Sequence, residues 1–229
     1  MKLSLFNEFD NIVVLDTETT GINHKTDEII ELALLHVRQD GEECRICSEY
    51  DELIHLSPGR ILPPEITKLT GISREMIDAG GVSKESAGRA LAELLSMDRT
   101  LLAAYNAQFD MCFLYYFLMR LGLQGKLKNI KMLDVMTVYK DRRPYPHKLC
   151  SAIEEYGVDA VNSHRAIDDT KAAFLLLCAM AEEKDDLSEY INLFGYNKKY
   201  GVSGPRISSV RYLPQGFEPG VPLYEQIQA

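Results

Sequence analysis

The order of elements along the chain predicts an α/β domain built on a mixed sheet. Three observations carry this. Apolar runs at residues 11–18 and 28–37 and a returning segment at Glu43–His55 read as three strands in succession. The last two are joined by Asp40-Gly41, a dipeptide suited to a tight hairpin turn. Further strand-like runs, at 100–105 and near 130–136, then alternate with helical patterns. The order βββαβαβα(α) makes a hairpin-linked meander first and helical crossovers after it, hence a sheet with antiparallel and parallel parts. A chain of 229 residues, 46% of them hydrophobic, is long enough to bury one sizeable core and carry an appendage.

Each element has a local reason. In Asn11-Ile-Val-Val-Leu-Asp-Thr-Glu18 the unbroken run Ile12–Leu15 marks a strand buried on both faces, ended by Thr19-Thr20-Gly21. Pro63-Pro64 opens a short helix that Gly71 ends. Residues 83–97 carry helical periodicity behind a Ser83 start, and 107–122 form a long apolar-faced helix closed by Gly122. Two more helices are expected near 148–156 and 165–183. Residues 1–184 are read as one domain and 185–229 as an ordered C-terminal tail docked on it. From Tyr190 to Phe217 the tail has no Asp or Glu, but Lys198, Lys199, Arg206 and Arg211 are interleaved with Tyr190, Phe194, Tyr196, Tyr200, Tyr212 and Phe217. Docking of the aromatics on the core is the preferred explanation. Contact with single-stranded nucleic acid, by phosphate pairing and stacking, is the other.

The formal charge of −9 argues against a protein that coats duplex DNA, because such affinity comes from many Lys and Arg contacts to phosphate. It leaves nucleic acid open as a substrate, since a carboxylate site offset by divalent metal adds negative formal charge. The start, Met-Lys-Leu-Ser-Leu-Phe-Asn-Glu-Phe-Asp, lacks a long apolar run, and no stretch reaches the roughly 18–20 apolar residues that span a bilayer. With five cysteines, an odd number, a reduced cytoplasmic protein without membrane contact is expected. Cys44 and Cys47 make one Cys-x-x-Cys pair inside a strand, where positions i and i+3 face opposite sides, so they are read as strand residues and not as zinc ligands.

Three groups of polar residues remain. Asp16 and Glu18 end an apolar strand two residues apart, so both side chains share a face and Thr17 takes the other. Two carboxylates on one face repel each other unless a cation lies between them, and magnesium suits such oxygens. Asn106 is placed to cap the helix that follows, and Asp110 lies in its first turns, where either the helix dipole or a metal would explain an acid. The third group is Ser163-His-Arg-Ala-Ile-Asp-Asp169. Asp169 shares a helix face with Ala173, Leu176 and Leu177, the buried side, whereas Asp168 sits about 100° off in the row of Lys171. On a continuous helix His164 and Asp169 would diverge by about 140°, so the two can cooperate only if His164 lies on the loop before the helix. Asn162 and Ser163 are suitable cap residues there.

Taken together, Val13-Val-Leu-Asp-Thr-Glu-Thr-Thr-Gly21, Tyr105-Asn-Ala-Gln-Phe-Asp110 and His164-Arg-Ala-Ile-Asp-Asp169 resemble the three motifs of the DEDDh, or DnaQ-like, 3′–5′ exonucleases, relatives of the proofreading epsilon subunit of bacterial DNA polymerase III. Leu62-Pro-Pro-Glu-Ile-Thr-Lys-Leu-Thr-Gly-Ile-Ser73 resembles the family's loop between the first and second motifs, and Tyr105 stands where many members have histidine or alanine. The resemblance covers about residues 9–182 and implies a ribonuclease H-like fold, a mixed five-stranded sheet flanked by helices. It implies Asp16, Glu18, Asp110 and Asp169 as ligands of two divalent ions, Mg²⁺ or Mn²⁺, with Asp16 bridging. It implies His164 as the general base, a role that suits imidazole with its ordinary pKa near about 6.5.

The expected reaction is metal-dependent removal of nucleoside 5′-monophosphates from the 3′ ends of DNA, single-stranded or frayed. Thr19, Thr20 and Gly21 would meet the terminal nucleotide through their backbone; Asn106, Phe109 and the 69–72 loop are further candidates for contact, Phe109 being equally explicable as core. A polymerase subunit is a possible partner. The competing expectations are an RNA-trimming member of the same fold and a non-catalytic polymerase-associated module.

Overall fold

The computed structural model describes residues 2–227. Its centre is a five-stranded sheet of β1 (Asn11–Thr19), β2 (Ile29–Asp40), β3 (Glu43–Leu53), β4 (Thr100–Ala104) and β5 (Lys131–Asp134) in the order β3-β2-β1-β4-β5. The hairpin-linked β1, β2 and β3 are antiparallel, and β4 and β5 join β1 in parallel after crossovers. This is the mixed α/β sheet flanked by helices expected of a ribonuclease H-like fold.

Alternation along β1 sorts the two faces. Ile12 and Val14 pack with Leu101, Ala103 and Leu133 under α5 (Val135–Arg142), α6 (Leu149–Glu155) and α7 (Ala166–Glu183). Val13 and Leu15 pack with Leu102 and Ala104 under α3 (Lys84–Leu94) and α4 (Ala107–Arg120). A small third cluster, Ile30, Leu56, Ile72 and Ile77, lies beneath α1 (Pro64–Thr70) and α2 (Arg74–Gly80). The central strand is thus dry on both sides, as its unbroken apolar run requires.

Two helices were not expected. α2 is only seven residues long, too short to show a period, and its one local sign is Ser73, whose Oγ accepts the amide of Met76 at 3.3 Å. α5 starts immediately after β5, where the sequence reads as a strand continuing to 136. Its β-branched residues favour strand locally, but burial of Val135, Val138 and Tyr139 in the first cluster outweighs that propensity.

After α7 the chain packs along the edge of β5. Leu187, Tyr190, Leu193 and Leu223 enter one main cluster, and Phe194 and Val210 the other. The segments β6 (Leu193–Tyr196) and β7 (Arg211–Pro214) pair in parallel. Asn192 ties them to the sheet, its amide donating to the Met132 carbonyl at 2.7 Å and its side chain accepting the Met132 amide at 2.8 Å. Among the described residues no helix is long and apolar enough to cross a membrane.

Candidate active site

The sheet opens where the acids stand. β4 pairs with β1 only as far as Val14↔Ala103 and then leaves for α4 after Ala104, so the last residues of β1 have no neighbour on that side. Crevices at the carboxyl ends of strands where connections diverge are the usual ligand sites of α/β sheets. Asp16 and Glu18 project into this one on the α7 face, and α4 and α7 bring Asp110 and Asp169 to it.

Each acid is held by a named contact. Thr17, on the opposite face of β1 as period-2 geometry predicts, donates its hydroxyl to Asp110 at 2.7 Å. Asp169 accepts from the Asn162 side chain at 2.7 Å and is buried to 9% exposure. One ligand atom each from Glu18, His164 and Asp169 lie within 4.8 Å of one another, the one such potential metal-holding group among the described residues. Burial raises all four, and repulsion from neighbouring members of the set raises Asp16 and Glu18 further. Asp16 is pushed well above the ordinary carboxylate range by burial, then by the charges of Asp110, Glu18 and Asp169. Glu18 rises to about 8, from burial and then Asp169, Glu31 and Asp110. Burial raises Asp110 to about 7 against the opposing Thr17 hydrogen bond. Asp169 is raised by burial, with Asn162 and His164 opposing. Four acids whose charges oppose one another in a crevice match a site completed by cations.

His164 lies on the loop before α7, as cooperation with Asp169 requires. It is exposed, with a left-handed backbone at φ 57°, a conformation that costs a non-glycine residue about 1 kcal/mol or more. The two aspartates separate as helical geometry predicts. Asp169 points inward, while Asp168 accepts from Ser163 Oγ at 2.5 Å on the solvent side.

Several local expectations are corrected. Asn162 and Ser163 do not cap α7; their side chains are taken by Asp169 and Asp168, and the cap position belongs to Arg165. Asn106 occupies the cap position of α4 with φ 68° but makes no side-chain cap bond. The carboxylate of Asp134, arriving from the end of β5, accepts the amides of Asn106 at 3.0 Å and Ala107 at 3.1 Å, and it accepts the Thr137 hydroxyl at 2.6 Å.

The expected substrate contacts sit around the crevice unequally. Thr19 donates its hydroxyl to the Gly21 carbonyl at 2.6 Å. Thr20 uses its amide on the Glu28 carbonyl and its hydroxyl to accept the Glu28 amide. Both hydroxyls therefore shape the turn. A Cβ on Gly21 would stand 2.4 Å from an Asp27 carboxylate oxygen, so a side chain there would push that carboxylate off the Asn23 amide and the Arg60 guanidinium it accepts from. The Asn106 side chain is exposed, and Phe109 is half-buried, its ring 4.9 Å from that of Phe113.

Two residues that the sequence reading passed over hold the third motif in place. Glu31, fully buried on β2 directly opposite Glu18, accepts from Arg165 Nε at 2.8 Å and Nη2 at 2.5 Å through one oxygen. Its other oxygen accepts the amide of Ala166, the first residue of α7, at 2.8 Å. The only local sign was one acid inside the apolar run Ile29–Leu35.

Comparison with known proteins identifies the family. The sequence profile of the exonuclease family RNase_T matches residues 13–177. The chain is 34% identical over 174 residues to a DNA polymerase III PolC-type of Thermotoga petrophila, spanning 74% of this chain and 12% of that protein. It is 32% identical over 178 residues to the 3′-5′ exonuclease DinG of Bacillus subtilis, spanning 75% of this chain and 18% of that one. The chain therefore spans less than a fifth of the length of these relatives. Among solved structures it superposes on E. coli exonuclease I in complex with a dT13 oligonucleotide with a TM-score of 0.66 at 17% identity, over 77% of this chain and 41% of that chain, a likeness of fold. With the profile running from β1 through most of α7, across all three motifs, the chain belongs to the RNase_T exonuclease family.

Proposed function

We propose that the chain is a metal-dependent 3′–5′ exonuclease that releases nucleoside 5′-monophosphates from the 3′ ends of DNA. The observation that carries this reading is the gathering of Asp16, Glu18, Asp110 and Asp169 at the open end of the central strand, with the His164 ring beside Glu18 and Asp169. Carboxylate oxygens are the donors Mg²⁺ and Mn²⁺ take, and the four acids fit two such ions. Asp16, which faces the charges of the other three, would be the ligand the two ions share. Divalent ions in such a pair lower the pKa of a water and neutralise charge developing on the leaving oxygen.

The chain's own residues supply the rest. His164 accepts the proton of the attacking water at a ring nitrogen, and its exposed loop lets it meet substrate. Attack at phosphorus forms one P–O bond and breaks the bond to the 3′ oxygen, so the phosphate leaves on the 5′ side of the released nucleotide. Thr17 and Asn162 fix the orientation of Asp110 and Asp169. The backbone of Thr19, Thr20 and Gly21 borders the terminal nucleotide, with Asn106 and the exposed edge of Phe109 across from it. DNA is favoured over RNA as substrate because relatives include polymerase-named proteins and the fold matches a protein solved with dT13. The same relatives support a DNA polymerase as a partner. The test is to incubate the protein and Mg²⁺ with 5′-labelled single-stranded DNA, duplex DNA with a mismatched 3′ end, and RNA. A ladder shortening from the 3′ end of the DNAs is expected. Faster trimming of RNA would transfer the reading to an RNA-processing member, and no cleavage of any would overturn it.

A further inference from the structure

We propose that the loop between β6 and β7, residues 197–210, is a docking surface for the single strand that leads into the crevice. The proposal rests on the exonuclease reading and extends it to a segment outside the matched family region.

The placement is fixed by α4, the helix that carries Asp110. Gln108, buried two residues before that acid, donates from Nε2 to the carbonyls of Ser203 at 2.7 Å and Pro205 at 2.8 Å. Its Oε1 accepts the Tyr212 hydroxyl at 2.6 Å. A Cβ on Gly204 would stand 3.1 Å from Cys112 Sγ and 3.2 Å from the ring of His24, which lies on the loop after the first motif and packs against the Tyr116 ring in a tilted arrangement with centroids 5.3 Å apart. The loop is therefore held against both Asp110's helix and the first-motif turn.

The chemistry of the loop differs from the rest of the molecule. Twelve ion pairs occupy cations elsewhere, yet among the described residues none involves Lys198, Lys199, Arg206 or Arg211. No acid occurs between Tyr190 and Phe217 to neutralise them, in a chain of net charge −9. Core docking accounts for Tyr190 and Phe194, which are buried, but not for Tyr200, which is 76% exposed with Lys199 Nζ 5.1 Å from its ring centre. The Arg206 guanidinium lies 5.1 Å from the ring of Tyr212 and 5.8 Å from that of Tyr196, so it is positioned without its hydrogen-bonding capacity being spent on a carboxylate. Unpaired cations beside an exposed ring are the combination that binds single strands, by phosphate contact and base stacking.

The test compares the wild type with the triple variant Lys198→Ala/Lys199→Ala/Arg206→Ala and with Tyr200→Ala. Fluorescence anisotropy in Ca²⁺ reads the affinity for single-stranded DNA of 4 and 20 nucleotides across a salt series. For single strands each phosphate contact contributes about 0.7 to the salt slope. The triple variant should lower the slope on the 20-mer by about 2 and the affinity at 0.1 M salt by about 100-fold, erasing most of the wild type's gain from 4 to 20 nucleotides. Tyr200→Ala should weaken the 20-mer about tenfold. All these side chains are exposed, and unchanged melting temperatures would exclude misfolding. An unchanged slope and affinity overturn the proposal. So does equally tight wild-type binding of polyglutamate, which would make the surface a site for acidic peptides. Hydrolysis of the p-nitrophenyl ester of thymidine 5′-phosphate by the wild type is a separate arm. If it fails while the strand is still bound through the loop, the exonuclease reading falls and the surface stands.

Discussion

Removing the Arg165 side chain should destabilise the protein and loosen the third motif together. Glu31 has no exposure and lies opposite Glu18, and its charge is met by two Arg165 hydrogen bonds and one amide. Breaking a buried pair from one side costs about 3–5 kcal/mol, because the remaining charge is left uncompensated. The Arg165 side chain is 34% exposed, so water can reach the vacated space and the cost falls to about 2–3 kcal/mol. For a chain of this size that is a loss of about 4–12 °C in melting temperature. Glu31→Gln keeps an acceptor for the Ala166 amide and removes the charge, so its cost should be nearer about 1 kcal/mol. With that charge gone, Arg165→Ala adds little, and the double variant should recover at least about 1 kcal/mol relative to the sum of the singles. Urea unfolding of all four proteins without metal, at pH 7.5, gives these values. The single variants should also move Glu18 in opposite directions, since Glu31 raises its pKa and Arg165 lowers it. An Arg165→Ala protein within about 0.5 kcal/mol of wild type, or strictly additive singles, would refute the reasoning.

The metal-free protein should lose stability as pH rises. Glu18 titrates near 8 in the fold against an ordinary 4.5, so its contribution is fully present below 4.5 and lost as pH rises through 8. At about 1.4 kcal/mol per pH unit the upper bound is about 5 kcal/mol; magnesium should flatten the profile, and a melting temperature independent of both pH and magnesium would contradict the charge cluster. Asp169→Ala should abolish metal-dependent digestion of a labelled oligonucleotide, while Asp168→Ala should keep most of it; equal loss would overturn the assignment of the inward acid. His164→Ala should slow turnover by about two to four orders of magnitude and retain the metal-induced rise in melting temperature, and undiminished turnover would remove it from the mechanism. Asp134→Ala should cost about 2–3 kcal/mol in urea unfolding by freeing two amides at the start of α4; a neutral result would show that water caps the helix equally well.

The sequence by itself determined whatever depends on a repeat period or a local turn. Period 2 placed Asp16 and Glu18 on one face and Thr17 on the other, and period 3.6 turned Asp169 inward and left Asp168 outside. Asp40-Gly41 fixed the hairpin and hence the antiparallel pairing of β2 with β3. Tertiary structure decided what depends on partners far apart in the chain. Glu31 and Arg165 are 134 positions apart, and nothing near either one announces the other. Asn106 has the residue type of a cap, yet its helix is capped by Asp134 from a neighbouring strand, because β5 ends beside the start of α4. The helix after β5 has strand-like composition and is helical because that geometry buries Val135, Val138 and Tyr139. The tail's aromatics look alike in sequence, but only packing separates Tyr190 and Phe194, which are buried, from Tyr200, which faces solvent. A local pattern limits which face a side chain can take, whereas the identity of its partner depends on how distant segments fill the same space.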